Sequence, residues 1–204
     1  MKRLGLLGGT FDPPHYGHLL AAQEVAAQLQ LACVLFLPAQ QNPLKQGVAS
    51  SAAEDRCEMV ARAIAGNPLF ALSKRDLERP PPSYTVDLLQ NLQAADRELV
   101  FLVGADILPE LPRWRYPEEI LRLARLAVIT RPGSPFPDLR ELEAVFPVAR
   151  GRADIVRIPG VDISAAEMRA RVRSGQSIRY LTPPGVEQYI RDRQLYQPES
   201  LSRL

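Results

Sequence analysis

The chain has 204 residues, 46% hydrophobic and 24% charged, with a formal net charge of +2, which suits one α/β domain of ordinary size or at most two small ones. This near-average globular composition excludes a disordered, collagenous or fibrous chain, and no apolar run approaches the roughly 20 residues that cross a bilayer. The small basic excess, carried by arginine except at Lys2, Lys45 and Lys74, does not predict nucleic-acid binding.

Met1–Gly9 holds too short an apolar stretch for a signal peptide and runs straight into a glycine loop. Cys33 and Cys57 are the only cysteines, too few for a disulfide or thiolate-metal framework, so a soluble cytoplasmic protein is expected. Continuous apolar runs predict strands at Leu4–Leu7, Val34–Pro38, Leu69–Leu72, Leu99–Val103, Leu126–Thr130 and Ile155–Ile158, because strands buried on both faces of a parallel sheet do not alternate. Helical spacing lies between them at Gly17–Leu29, Ala53–Ala65, Tyr84–Ala94, Pro117–Leu123 and Leu139–Val145. After Ile158 two helices follow, Ala165–Ser174 and Pro184–Arg193, with no further strand. This order implies an α/β fold, an open doubly wound parallel sheet with right-handed crossovers and a helical C-terminal end, in a single domain over residues 1–204.

Gly8-Gly9-Thr10-Phe11-Asp12-Pro13-Pro14-His15-Tyr16-Gly17-His18 follows the first strand and opens the first long helix. Ligands of open α/β sheets bind at such carboxyl ends. Glycines let the backbone approach a phosphate, and the helix start offers N–H donors at the positive end of its dipole. G-x-G-x-x-G is absent and no Gly-Lys-Ser/Thr follows, so neither a dinucleotide fingerprint nor a P-loop is present. Both histidines of the chain fall here, with Gly17 leaving room between them. An isolated pair would read as a solvated turn, and two ligands without a third make a poor zinc site; imidazole N–H groups at a helix start can also donate to phosphate oxygens.

Other segments carry weaker signals. Ser164 and Glu167, within Ile163-Ser164-Ala165-Ala166-Glu167-Met168-Arg169, form a capping-box pattern whose helix end can face an anion that Arg169 also reaches. Ser83-Tyr84-Thr85 reads as a helix start and Trp114 as an amphipathic anchor. Gly104-Ala105-Asp106 follows a strand, Lys45 follows the second strand, and Arg131 ends a strand on the ligand side.

Taken together, Gly-Gly-Thr-Phe-Asp-Pro-x-His-x-Gly-His resembles the signature of the nucleotidyltransferase family, and within it the string is most similar to the bacterial nicotinate-nucleotide adenylyltransferases. The resemblance runs from Leu4 to about Tyr196 and implies a Rossmann-like nucleotidyltransferase fold. It implies catalytic roles for His15, His18 and Arg169, the last through an Ile-Ser-x-x-x-x-Arg motif that binds ATP phosphates. In that motif Ala166 stands where the family often has threonine. Gly8, Gly9, Thr10, Phe11, Gly104, Asp106, Ile163 and Ser164 are implied at ATP. Lys45, Tyr84, Thr85, Trp114, Arg115 and Arg131 are implied at nicotinate mononucleotide, with the Ser-Tyr-Thr segment and the tryptophan embracing the pyridine ring. In the Lys45 loop, Asn42 and Leu44 replace a proline and a histidine of the family pattern. Ser177–Pro183 resembles the family's tail and is read as packing.

The implied reaction is adenylyl transfer from ATP to nicotinate mononucleotide, giving nicotinate adenine dinucleotide, a precursor of NAD, and pyrophosphate. An ionised phosphate nucleophile needs neither a strong base nor a covalent intermediate, so catalysis rests on positioning and charge stabilisation. Mg2+ is expected with ATP, held mostly by phosphate oxygens and water. The competing readings are nicotinamide mononucleotide or phosphopantetheine as acceptor, and a nucleotide sensor without catalysis.

Overall fold

The computed structural model describes residues 2–40, 50–79, 81–133 and 136–198. Six strands form one sheet: β1 (Lys2–Gly9), β2 (Cys33–Pro38), β3 (Phe70–Leu72), β4 (Arg97–Gly104), β5 (Ala124–Thr130) and β6 (Ala153–Arg157). Their order is β3-β2-β1-β4-β5-β6, with every neighbouring pair parallel. The order reverses between β1 and β4, and a crevice opens beyond the carboxyl ends at such a reversal.

Successive side chains of a strand point to opposite faces, and the core divides accordingly. Leu6, Leu99, Phe101, Val103, Leu126 and Val128 pack on one face under α3 (Thr85–Leu92) and α4 (Pro117–Leu123). Their chain neighbours Leu7, Val100, Leu102 and Ala127 pack on the other face, under α1 (Tyr16–Gln28) and α2 (Ala53–Ile64). A third cluster joins Met59 and Ala63 of α2 to Met168 of α6 (Ala165–Arg173) and to Val186 and Ile190 of α7 (Pro184–Asp192). Among the described residues, α5 (Leu139–Val145) completes the α-helices. No helix among the described residues is long and apolar enough to cross a membrane.

All six expected strands and seven expected helices are present, most ends moving by one or two residues. The main addition is a 3-10 stretch, Ala105–Arg113, running on from β4. Pro109 and Pro112 lie within it, and prolines inside a helical pattern remove N–H donors, so the segment reads as a loop from sequence.

Candidate active site

Leu7 and Gly8, adjacent at the end of β1, line two different cavities. The larger encloses about 950 Å3, and His15, Gly17, His18, Gly104, Asp106, Arg131 and Ile163 stand on its wall. The smaller, about 200 Å3, is lined by Gly8, Gly9, Asp76, Ser83, Tyr84, Thr85, Phe101, Trp114 and Arg115. Ile107, on the 3-10 stretch, borders both.

α1 opens at the larger cavity with no acidic residue in its first turn, so no side-chain charge there offsets the positive end of its dipole. His15 is the N-cap, and its backbone N–H donates to His18 Nδ1 at 3.2 Å. With Nδ1 accepting, the hydrogen of a neutral His18 ring sits on Nε2, making that nitrogen a donor. The two imidazoles stack, centroids 3.8 Å apart and planes 26° from parallel. His15 is 8% exposed, and burial pushes its pKa down to about 4, so it is uncharged at neutral pH. Its Nδ1 is buried without a hydrogen-bond partner among the described residues. A Cβ on Gly17 would lie 2.9 Å from that nitrogen, so only glycine leaves the ring its place.

The glycine loop is held from behind. Phe11, at φ 52°, buries its ring against Phe36 and the edge of His18, with centroids 5.7 and 5.1 Å away. Arg56 of α2, 2% exposed, donates to the carbonyls of Thr10 at 2.9 Å and Ser51 at 3.1 Å. Asp12, 3% exposed, accepts from the Ser51 N–H at 3.1 Å and the Tyr196 hydroxyl at 2.5 Å, while its carbonyl accepts from Arg169 at 2.6 Å. Thr182 Oγ1 donates to the Pro14 carbonyl at 2.8 Å.

In the smaller cavity, Arg115 lies over the Tyr84 ring at 4.6 Å, and Trp114 meets Phe101 edge-on at 6.1 Å. Trp114 Nε1 is buried with no hydrogen-bond partner among the described residues. Asp76, 4% exposed, pairs with Arg79 at 3.3 Å and accepts the Gln40 N–H at 3.2 Å. Arg79 also donates to the Tyr84 carbonyl at 3.3 Å, tying this ion pair to the start of α3.

The structure therefore sorts the residues singled out in the sequence. His15, His18, Gly104, Asp106 and Ile163 share the larger cavity. Arg131, expected beside the nicotinate mononucleotide, follows β5 and stands on the wall of this larger cavity. Gly8 and Gly9, expected at ATP, line the smaller cavity next to Tyr84, Thr85, Trp114 and Arg115. Thr10, Phe11, Ser164 and Arg169 line neither cavity. Phe11 is core, and Ser164 caps α6 by accepting the Glu167 N–H at 3.1 Å. Lys45 lies outside the described residues.

Sequence reading missed Arg56, Asp76 and Tyr196, and gave Asp12, within the glycine-loop string, no role of its own. Arg56 left a trace: three and four residues before Met59 and Val60, it falls on the buried stripe of α2. Tyr196 left none, since its partner is 184 residues away.

Residues 6–172 match the Cytidylyltransferase-like family model. The chain is 47% identical over 199 residues to a protein of Thermomicrobium roseum named "Probable nicotinate-nucleotide adenylyltransferase", covering 97% of this chain and 92% of that one. A relative of the same name from Streptomyces coelicolor is 45% identical, covering 95% of this chain and 100% of its own. Among solved structures, Plasmodium falciparum nicotinic acid mononucleotide adenylyltransferase complexed with NaAD superposes with a TM-score of 0.78 at 19% identity, covering 96% of this chain and 98% of that one. At that identity the superposition speaks for the fold. With near full-length identity of 45–47% to the bacterial relatives, the chain belongs to the nicotinate-nucleotide adenylyltransferase family.

Proposed function

We propose that the protein transfers the adenylyl group of ATP to nicotinate mononucleotide, releasing pyrophosphate and forming nicotinate adenine dinucleotide. The observation that carries this reading is the pair of cavities either side of the β1 end, divided by Leu7 and Gly8. One is spacious and flanked by a helix start and two imidazoles; the other is narrow and aromatic. A nucleotide suits the first and a flat pyridine ring the second. A phosphate held between them reaches both.

In this arrangement the acceptor's 5′-phosphate oxygen attacks the α-phosphorus of ATP. The bond to the β-phosphate oxygen breaks, and its electron pair leaves with pyrophosphate. His18 Nε2–H and the α1 start meet the charge that builds on the phosphate oxygens, the kind of preorganised donation that dominates such reactions. Uncharged, His15 orients His18 by stacking and through its backbone N–H. Arg169, tied to the Asp12 carbonyl, backs the loop on the triphosphate side. Tyr84, Thr85, Trp114 and Arg115 hold the pyridine nucleotide, with Lys45 on its phosphate. We assign Arg131, Gly104, Asp106 and Ile163 to ATP. Mg2+ would come with ATP as its counter-ion and would supply charge neutralisation on the phosphates. Among the described residues no three His, Cys, Asp or Glu side chains form a metal cage, so none is assigned to it. Because the reaction draws on ATP, we place it in the cytoplasm.

The test is pyrophosphate release from ATP with nicotinate mononucleotide, nicotinamide mononucleotide or phosphopantetheine as acceptor. The first should be preferred. Preference for another changes the acceptor assignment, and no release with any of the three overturns the proposal.

A further inference from the structure

α7 clasps α2 from outside: the Tyr189 hydroxyl donates to Asp55 at 2.7 Å, and Arg193 pairs with the same carboxylate at 3.3 Å. Past the helix the chain turns sharply, with Gln194 at φ 51° and Tyr196 at φ 63°, and Leu195 N–H bonds back to the Ile190 carbonyl at 3.0 Å. Left-handed backbone at two non-glycine residues is uncommon and persists where packing holds it. Here it delivers the Tyr196 ring into the cluster of Met59, Met168 and Ile190, with the hydroxyl 2.5 Å from Asp12 Oδ1.

All three oxygens of Asp12 used by the fold have partners from distant segments. The carboxylate takes Tyr196 and Ser51, and the carbonyl takes Arg169. A buried carboxylate with fixed donors on both oxygens cannot turn, so it fixes the peptide to which the Arg169 guanidinium is tied. Burial, reinforced by the Asp12 charge, pushes the Tyr196 phenol well above its ordinary range; the hydroxyl remains a donor at any working pH.

We propose that Tyr196 is a positioning residue for ATP, acting through Asp12 to hold the Arg169 guanidinium against the glycine loop on its triphosphate side. The C-terminal tail thereby becomes part of the nucleotide site without touching the nucleotide. This rests on the assignment of Arg169 to ATP above.

The experiment is a double-mutant cycle on the full chain, with KM for ATP and for the acceptor, kcat and thermal midpoint measured for Tyr196→Phe, Arg169→Ala and the double variant. Tyr196→Phe keeps the ring and loses only the hydroxyl. It should raise the KM for ATP by about tenfold, equivalent to about 1.4 kcal/mol, and leave the acceptor's KM unchanged. On the Arg169→Ala background it should add nothing to the KM for ATP, since the two act on one contact. Tyr189→Phe, which cuts the bond of α7 to Asp55, is the control for mere loosening of the tail and should lower the midpoint without moving the KM for ATP. If Tyr196→Phe does not fold, Asp12→Asn reads the same joint, and it too should raise the KM for ATP alone.

An unchanged KM for ATP in folded Tyr196→Phe, equal rises in both KM values, or full additivity with Arg169→Ala overturns the proposal. An Arg169→Ala variant with normal KM for ATP instead overturns the assignment of Arg169 on which it rests.

Discussion

His15 and His18 are bonded as well as stacked: the His15 backbone N–H donates to His18 Nδ1 at 3.2 Å while the His18 N–H donates to the His15 carbonyl at 2.9 Å. The rings are thus fixed before any ligand arrives, and the His18 tautomer is set by the backbone. Removing a preorganised donor of this kind costs about 10²–10³ in turnover. We expect kcat of His18→Ala to fall by about 10² or more, with the KM for the acceptor little changed. Steady-state kinetics on folded variant decides it, and an undiminished kcat removes His18 from the mechanism. His15→Ala should act mainly through ATP placement and raise the KM for ATP.

His15 also makes stability depend on pH. Its imidazole is pushed from 6.5 down to about 4 by burial, so the unfolded chain takes up this proton at a higher pH than the fold does. Stability is therefore full above about pH 6.5 and declines as the pH drops toward about 4, by up to about 3 kcal/mol for a shift of this size. Urea midpoints across that window, compared between the unaltered chain and His15→Gln, isolate this histidine from the carboxylates that titrate nearby. The unaltered chain should lose more stability on acidification; parallel curves would show that His15 is not held neutral.

Arg56 stabilises the glycine loop from within the core. Arg56→Met removes the donors to the Thr10 and Ser51 carbonyls, and hydrogen bonds from charged groups contribute about 1.5–3 kcal/mol each. A loss of about 3 kcal/mol in unfolding free energy is expected. Chemical denaturation measures it, and a change within about 0.5 kcal/mol would mean the loop keeps its shape by other means.

Trp114 should govern the acceptor and leave ATP alone. A pyridinium ring against its face gains about 0.5–2 kcal/mol, so Trp114→Leu should raise the KM for nicotinate mononucleotide by about tenfold. Titrating each substrate at saturating partner separates the two; a matching rise for ATP would relocate the residue to a shared wall.

Acceptor discrimination is expected to favour the carboxylate over the amide. Thr85 and Arg115 line the smaller cavity, and the N–H groups at the start of α3 suit an acceptor atom. Charge-assisted bonds are roughly twice as strong as neutral ones, and an amide N–H2 turned to the same donors leaves groups unpaired at about 1–3 kcal/mol each. The ratio of kcat/KM for the two mononucleotides should lie on the order of 10 to 10⁴. A ratio at or below unity reverses the specificity without touching adenylyl transfer.

The amino-acid sequence by itself determined the strands, because β4 and β5 are apolar without alternation and only a sheet covered on both faces accepts such runs. It determined the helix start at Ala165, and that of α1 to within one residue, through the Ser164 cap and the glycine loop, which are local in the chain. The family was legible in the spacing of His15, Gly17 and His18. Tertiary structure alone decided on which cavity wall each residue stands. Arg131, after β5, stands on the wall of the larger cavity and Gly8, in β1, on that of the smaller, a division that position along the chain does not disclose. It alone brought Ser51, Arg169 and Tyr196 to Asp12. Local periodicity reports which face of an element is buried; which distant segment supplies a buried carboxylate's hydrogen-bond donor is settled only when the helices pack against one another.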